Sequence, residues 1–413
     1  MLLLLSLIAC TKDSGDTADT GCEAPLTLFT DADGDGFGDD ATQVEACEAA
    51  ADQVEQGGDC DDGDGAVNPD ATEFCDGIDN DCDGAPEAGA AWEAADGTWT
   101  DWSDTLAAGT EASPAAITLS EAGTLHVCPG THYVNLSSGV STGVVGHGAS
   151  ASDVVLNGGG VGRVLDLEGS GLTHSVQGVQ LTNGTNPDEF DDEKPSAGGI
   201  SCNADDLDTT LTLAQVELTD NQGYLGGNLA LMGCDTTVDD STLSGGEAEI
   251  GGGVALLAGD LTLNNSSITG NSGAEGGGGI LALPYTSEAP VVTLNDSLVA
   301  DNTTEEVGGG AMLLSAELVC TSSDGGEHGL LRNSAGTGSA IFGAAGFVGN
   351  EDGPVYAAVD SQGCDFGVDS SDNTQSFDIW FEGLQYTAED NADFSCAETN
   401  CSGDVEIVKE VKK

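Results

Sequence analysis

Carboxylates spaced two residues apart carry the clearest chemistry in this chain. The segment DADGDGFGD offers Asp31, Asp33 and Asp35 at alternate positions, followed by Gly36, the Phe37 carbonyl and Asp39. These fall at positions 1, 3, 5, 6, 7 and 9 of a calcium-binding loop, with Gly36 where such a loop turns sharply. DNDCDG restarts the pattern with Asp79, Asp81, Asp83 and Gly84, and Glu87 falls at its ninth position. DCDDGD adds Asp59, Asp61 and Asp64 at looser spacing. All are hard oxygen donors, which suit calcium rather than copper or zinc. Position 12 is Thr42 in the first loop and Ala90 in the last, so the bidentate Glu of an EF-hand is missing. The expectation is weak calcium affinity of the extracellular kind, or further ligands from elsewhere in the chain.

The surrounding segment must hold these side chains together against their own charge. Asp31 to Asp83 contains 19 Asp and Glu and no Lys or Arg. Two carboxylates about 5 Å apart repel by about 1 to 3 kcal/mol at surface-like dielectric, so so dense a cluster needs a counter-ion to be ordered. The order DADGDGFGD, Cys47, GGDCDDGD and VNPDATEFCDGIDNDCDG closely resembles the metal-binding motif named after the copper-binding protein MopE, common in lipoproteins and surface proteins of myxobacteria. The resemblance implies a disulfide-stapled, metal-binding module over residues 24–89. The family's copper association does not transfer, because the sequence shows no copper ligand set. An acidic disordered linker is the alternative, and the fixed cysteines and glycines argue against it.

Charge sets the function classes. With 73 acidic and 7 basic residues the formal net charge is −66. Nucleic acid is excluded as a partner, since phosphate binding needs Lys and Arg. Cations are favoured, with a halophile's acidic surface as the alternative. The opening MLLLLSLIAC resembles a bacterial lipoprotein signal (residues 1–9) cut before a lipidated Cys10, although no Lys or Arg precedes the apolar run. That resemblance implies an N-terminal lipid anchor in the outer membrane, on the cell surface. The apolar run is too short to span a bilayer as a helix. Residues 10–23, small and polar, read as a flexible tether.

Setting Cys10 aside leaves 12 of the 13 cysteines, an even number that suits an oxidising compartment. Proximity and repeat offset suggest Cys47 with Cys60, Cys75 with Cys82, Cys202 with Cys234, Cys320 with Cys364 and Cys396 with Cys401. Cys22 and Cys128 are left over, and spacing alone does not fix the connectivity.

Beyond residue 90 the chain repeats. LTDN, ITGN, VADN and LLRN end in Asn221, Asn271, Asn302 and Asn333, while LSGG puts Gly246 in the Asn position. Glycine clusters then lead into apolar runs: GGNLAL at Gly226, GGGVALL at Gly251, GGGGILAL at Gly276 and GGGAMLL at Gly308. A period of about 25 to 31 residues marks a solenoid. The runs alternate with the strand period, and each repeat accommodates about three strands. Asn suits left-handed bends between sheets and could stack into an amide ladder; glycine gives the sharp corner and lets coils pass closely. The fold expected is all-β, a parallel β-helix over residues 90–401 with a C-terminal tail over 402–413. These repeats resemble right-handed parallel β-helices of the pectin-lyase-like superfamily and chlamydial polymorphic outer-membrane proteins. The segment Asn186 to Ser196 reads as a projecting loop. Trp92, Trp99 and Trp102 at one end, and Phe377, Trp380, Phe381, Tyr386 and Phe394 at the other, read as caps over exposed strand edges, with carbohydrate-stacking platforms as the alternative.

Lyases and glycoside hydrolases use this fold, so catalysis must be sought in residues. Between residues 90 and 400 the basic groups are Arg163, Lys194 and Arg332, too scattered for a β-eliminating lyase. The GHG at Gly146 to Gly148 resembles a polygalacturonase motif but lacks that family's Asp pair and RIK partner, and reads as a turn. His126, His132, His174 and His328 read as scattered. The expectation is a non-enzymatic surface lipoprotein with calcium as cofactor, membrane contact through lipid, and polysaccharide or surface proteins as partners. A polysaccharide lyase or hydrolase and a metal-sequestering protein are the alternatives.

Overall fold

The computed structural model describes residues 24–71, 75, 78–84, 89–186, 196–286, 288–323, 327–344, 349–350, 353–354, 357–366, 379–381, 384–388, 392–397 and 400–407. The signal segment, Cys10, the tether, Cys22, Glu87, most of the 186–196 loop with Lys194, Phe377 and residues 408–413 lie outside them. The chain divides into two compact units: Met1–Glu73 with Gly77–Pro86, and Phe74–Asp76 with Glu87–Lys413.

The second unit is a parallel β-helix. One full coil shows the plan: Thr209–Ala214, Glu217–Thr219, Gln222–Leu225 and Leu229–Met232 form four strands, and Cys234–Asp239 begins the next coil. Each strand pairs in parallel with its counterpart about one coil on, Thr209 opposite Cys234, Leu218 opposite Leu243 and Leu229 opposite Val254. Three long sheets and a short fourth result, one strand more per coil than the sequence suggests, the extra being the short run after each Asn. Alternation puts every second residue of these strands inward, at the same height from coil to coil. Leu218, Leu243, Ile268, Val299 and Leu330 are in register from coil to coil and fully buried. No coil could cover these side chains alone, which is why the sequence repeats.

The glycine clusters have two separate duties. Gly277 opens its turn at φ +58°, in the left-handed region. Gly279 follows where there is no room: a Cβ there would lie 2.6 Å from the Gly310 carbonyl oxygen of the next coil. The left-handed residue at the other bend is not the repeated Asn. It is the residue before it, as in Asp220, Gly270, Asp301 and Arg332. The Asn side chains turn inward instead and are almost wholly buried.

Antiparallel strands close both ends. Ala90–Ala94 pairs with Gly123–Val127 and with Trp99–Asp101, while Trp92 stacks on Trp102 with ring centroids 5.3 Å apart beneath a short helix, Ser103–Ala107. At the far end Ala358–Cys364 pairs with Ala392–Ala397, which pairs with Asn400–Gly403, and Phe366 meets Phe394 edge-on. Val405–Ile407 forms a further antiparallel strand against Leu384–Ala388, in a different sheet. Covering unpaired edges this way removes a template for aggregation. Trp99 does not belong to the cap; it lies on the opposite face of its hairpin, against His126.

The first unit is small. Leu26–Thr30 pairs antiparallel with Val44–Ala46 and Gln53–Val54, and Gly38–Asp39 pairs in parallel with Gly57–Asp59. Leu28 and Val67 are its buried apolar residues among those described. So small a core calls for covalent or metal staples. One is Cys60–Cys82, and Cys75 bonds Cys128 within the second unit. The expected pairs Cys47–Cys60 and Cys75–Cys82 are therefore corrected; Cys47 is disulfide-bonded, but not to Cys60. Nearest-neighbour spacing misleads because the DNDCDG loop folds back on the DCDDGD segment. In the solenoid, Cys202 bonds Cys234, Cys320 bonds Cys364 and Cys396 bonds Cys401.

Candidate metal centre

The DADGDGFGD loop winds around its own first carboxylate. Asp31 Oδ1 accepts from the Gly34 N–H at 2.6 Å and its Oδ2 from the Gly36 N–H at 3.2 Å. Asp33 Oδ1 accepts from the Asp35 N–H, and Asp35 Oδ1 from the Phe37 N–H at 2.8 Å. Gly34 and Gly36 have φ of +90° and +106°, values open to glycine, so the chain can curl this tightly. Asp31 thus uses both oxygens on the backbone, while Asp33 and Asp35 each use one and keep Oδ2 buried without a hydrogen-bond partner. One oxygen each from Asp31, Asp33 and Asp35 falls within a 4.8 Å cluster.

The second acidic segment lies against this loop. Asp62 Oδ1 accepts from the Ala32 N–H at 2.8 Å, tying DCDDGD onto the loop. Asp59 is 5% exposed and interacts electrostatically with Asp35, Asp33 and Asp62. The Oδ2 atoms of Asp33, Asp35 and Asp59 are all buried with no hydrogen-bond partner. Burial, and then the negative charge of their neighbours, raises the carboxyl pKa of both Asp33 and Asp59 above the ordinary value. A buried carboxylate oxygen without a donor is costly unless it meets a cation. The converging oxygens of Asp31, Asp33 and Asp35, with the buried Asp59 carboxylate nearby, fit a hard, oxygen-preferring ion.

DNDCDG repeats the wrapping. Asp79 accepts from the Asp83 N–H at 3.0 Å and the Gly84 N–H at 2.9 Å, and Asp79, Asp81 and Asp83 converge within 4.8 Å. Glu87, expected at its ninth position, lies outside the described residues.

Other expected ligands are used elsewhere. Asp39 Oδ1 accepts from the Ala41 N–H and caps the short helix Asp40–Thr42. Asp64 is exposed, its Oδ1 accepting from the Ala66 N–H. Asp61 is exposed as well, whereas its neighbour Asp62 is half-buried and faces the loop through the Ala32 N–H. Alternation from Asp59 would point to Asp61 instead; the strand ends at Asp59 and the chain turns at Asp62, so no strand period reaches it.

Residues 59–87 match the family model described as "Putative metal-binding motif", of the copper-binding MopE type. The match supports metal binding for the part of the module holding DCDDGD and DNDCDG, and does not reach the loop at residues 31–39. No curated protein and no solved structure matches the chain.

The histidines are less scattered than their spacing suggests. His126 and His147 touch, and His126 also meets Glu93. His132 Nε2 bonds the Cys128 carbonyl oxygen, and His174 is buried in the solenoid interior with neither ring nitrogen hydrogen-bonded.

Proposed function

We propose that this protein is a non-enzymatic, lipid-anchored surface protein of the outer membrane, with a calcium-dependent module and a β-helix that makes adhesive or matrix contacts. The observation that carries the calcium reading is the trio of buried, unpartnered oxygens on Asp33, Asp35 and Asp59. They call for a cation, and an all-carboxylate donor set favours calcium over copper or zinc. The anchor rests on the LIAC segment ending at Cys10. The absence of turnover is supported by the two described arginines. Arg163 is held by Asp166 and the Ala197 carbonyl, and Arg332 by Asp301 and Glu327, so each is already neutralised.

The test uses the full chain. Calcium is expected to protect residues 24–84 from limited proteolysis, with protection lost in chelator and restored on readdition. A polysaccharide panel incubated with and without calcium is expected to show binding without depolymerisation. Calcium-independent protection would remove the metal reading, and cleavage of any uronan would replace the adhesive reading with an enzymatic one.

A further inference from the structure

Glu93, Trp99, His126 and His147 come from four separate stretches that the first coils bring to one place. In register, Ala91 and Val145 flank His126 on neighbouring strands, and Glu93 lies opposite Trp99. Leu125 and Val127 point into the core, so His126 between them points outward. His126 Nδ1 lies 2.8 Å from His147 Nε2, and His126 Nε2 lies 3.3 Å from Glu93 Oε2. The Trp99 ring covers the His126 ring at a centroid distance of 4.7 Å.

We infer that His126 and His147 form a two-imidazole site for a borderline divalent transition-metal ion such as Cu2+ or Zn2+, on the outer face of the β-helix. The hydrogen bonds set the donors. A carboxylate only accepts, so the proton of neutral His126 sits on Nε2, facing Glu93. Its Nδ1 is then a lone pair aimed at His147. Two nitrogens bound to one ion at about 2.0–2.1 Å lie about 3 Å apart, close to the spacing already present. Binding needs no net proton loss: the proton between the rings leaves His147 Nε2, and His147, open to solvent, takes one up at Nδ1. Glu93 behind the first ring is the carboxylate that metal-binding histidines commonly engage through their second nitrogen, fixing tautomer and ring plane. Trp99, tilted 37° against the His126 ring, packs over it and restricts its rotation. Imidazole nitrogen selects the metals that the oxygen-only loops of the first unit do not. Water completes the coordination.

The test is Cu2+ titration of the full chain in saturating calcium, which occupies the carboxylate loops, followed by electron paramagnetic resonance and calorimetry. The expected spectrum shows splitting from two equatorial nitrogens. His126→Ala or His147→Ala should each remove one nitrogen and weaken binding at least about tenfold, while His132→Ala changes neither. Glu93→Gln should keep both nitrogens and weaken binding by about 10–100-fold, the usual effect of losing such a partner. Circular dichroism of each variant checks the fold, which is expected to be unchanged because the four side chains lie outside the core. An oxygen-only spectrum, or affinity unaltered in both histidine variants, would overturn the site.

Discussion

The two units bury polar atoms in opposite ways. In the solenoid the buried Asn residues of the ladder are satisfied by neighbouring coils. Asn302 Oδ1 accepts from the Asn271 backbone N–H and Nδ2, both at 2.9 Å, and Asn302 Nδ2 donates to the Ile268 carbonyl and to Asn333 Oδ1. Asn333 repeats the role for Asn302. In the acidic module, Asp33, Asp35 and Asp59 each leave one buried oxygen without a partner. A stack of coils contains its own donors, so neutral amides suffice. A short chain with a small core has few donors to offer, and closing its loops on carboxylates hands the task to an ion. The difference teaches that unsatisfied polar atoms mark where something from outside belongs, and that satisfied ones mark structure.

His174, with the hydroxyls of Ser322 and Ser339, breaks this pattern in the solenoid, and the histidine gives the largest expected effect. The ring is 1% exposed, faces Leu211 across the sheet, and has both nitrogens unpaired. Burial lowers its pKa from the ordinary 6.5 to about 4. The unfolded chain therefore binds a proton below pH 6.5 that the folded chain refuses until about pH 4. Stability is full above that window and falls as pH drops through it, by about 3 kcal/mol in all. Denaturant titrations between pH 7.5 and 4 should show the loss, and His174→Leu should flatten this component. A solenoid transition equally pH-sensitive in the leucine variant would mean that His174 is not the group responsible.

A pair of substitutions breaks the comparison from both sides. Asn302→Ala removes the acceptor of the buried Asn271 N–H, and stranding such a group costs about 2 kcal/mol. Asp59→Asn should do the reverse in calcium-free protein, because burial and then the negative charge of Asp35, Asp33 and Asp62 disfavour its ionised carboxyl, raising its pKa. It should also weaken calcium binding by about tenfold, a loss of about 1.4 kcal/mol. Thermal melts with and without calcium read both. If Asp59→Asn destabilised the calcium-free module, its carboxylate would be a structural group like the asparagines rather than a waiting ligand.

How much of this was legible in the sequence follows from range. The coil period could be read because the repeats are written side by side, and the Asp loops because their ligands lie within nine residues of one another. The ladder was half legible: stacking was expected, but the left-handed bend was placed on the Asn when it belongs to the residue before it. Asp62 over Asp61 and Asp64, and Cys60 with Cys82, depend on how one loop folds back on another, which spacing does not encode. The contact of Glu93, His126 and His147 spans coils that precede the regular period, so no repeat offset points to it.

The smallest expected net effect is the sharpest test of the ladder. In most coils an Asn is paired with a glycine that leaves it room. A Cβ on Gly253, Gly279 or Gly310 would lie 3.0, 2.9 and 2.9 Å from the Nδ2 of Asn271, Asn302 and Asn333. One coil reverses the pair: the Asn position holds Gly246 and the glycine position holds Asn228. Asn228 then serves the rung from the other side. Its Oδ1 accepts from Asn221 at 2.9 Å, and its Nδ2 donates to Asn271 Oδ1 at 3.0 Å and to the Ser244 carbonyl at 3.1 Å. Asn228→Gly should cost about 1 kcal/mol, less than Asn302→Ala, because Asn221 still donates to the Leu181 carbonyl and Asn271 still accepts from the Gly246 N–H. Gly246→Asn alone should also destabilise, since its Cβ would lie 2.7 Å from Asn228 Nδ2 and 2.4 Å from the Gly252 carbonyl oxygen. Together the two changes rebuild the ordinary pair, and although the Gly252 carbonyl must still shift, the double variant should be more stable than the sum of the singles predicts. A coupling of about 0.5–3 kcal/mol is the range for residues in one hydrogen-bond network. Strict additivity in denaturant melts would mean that the amides stack without supporting one another, and that the coils are held in register by their apolar columns alone.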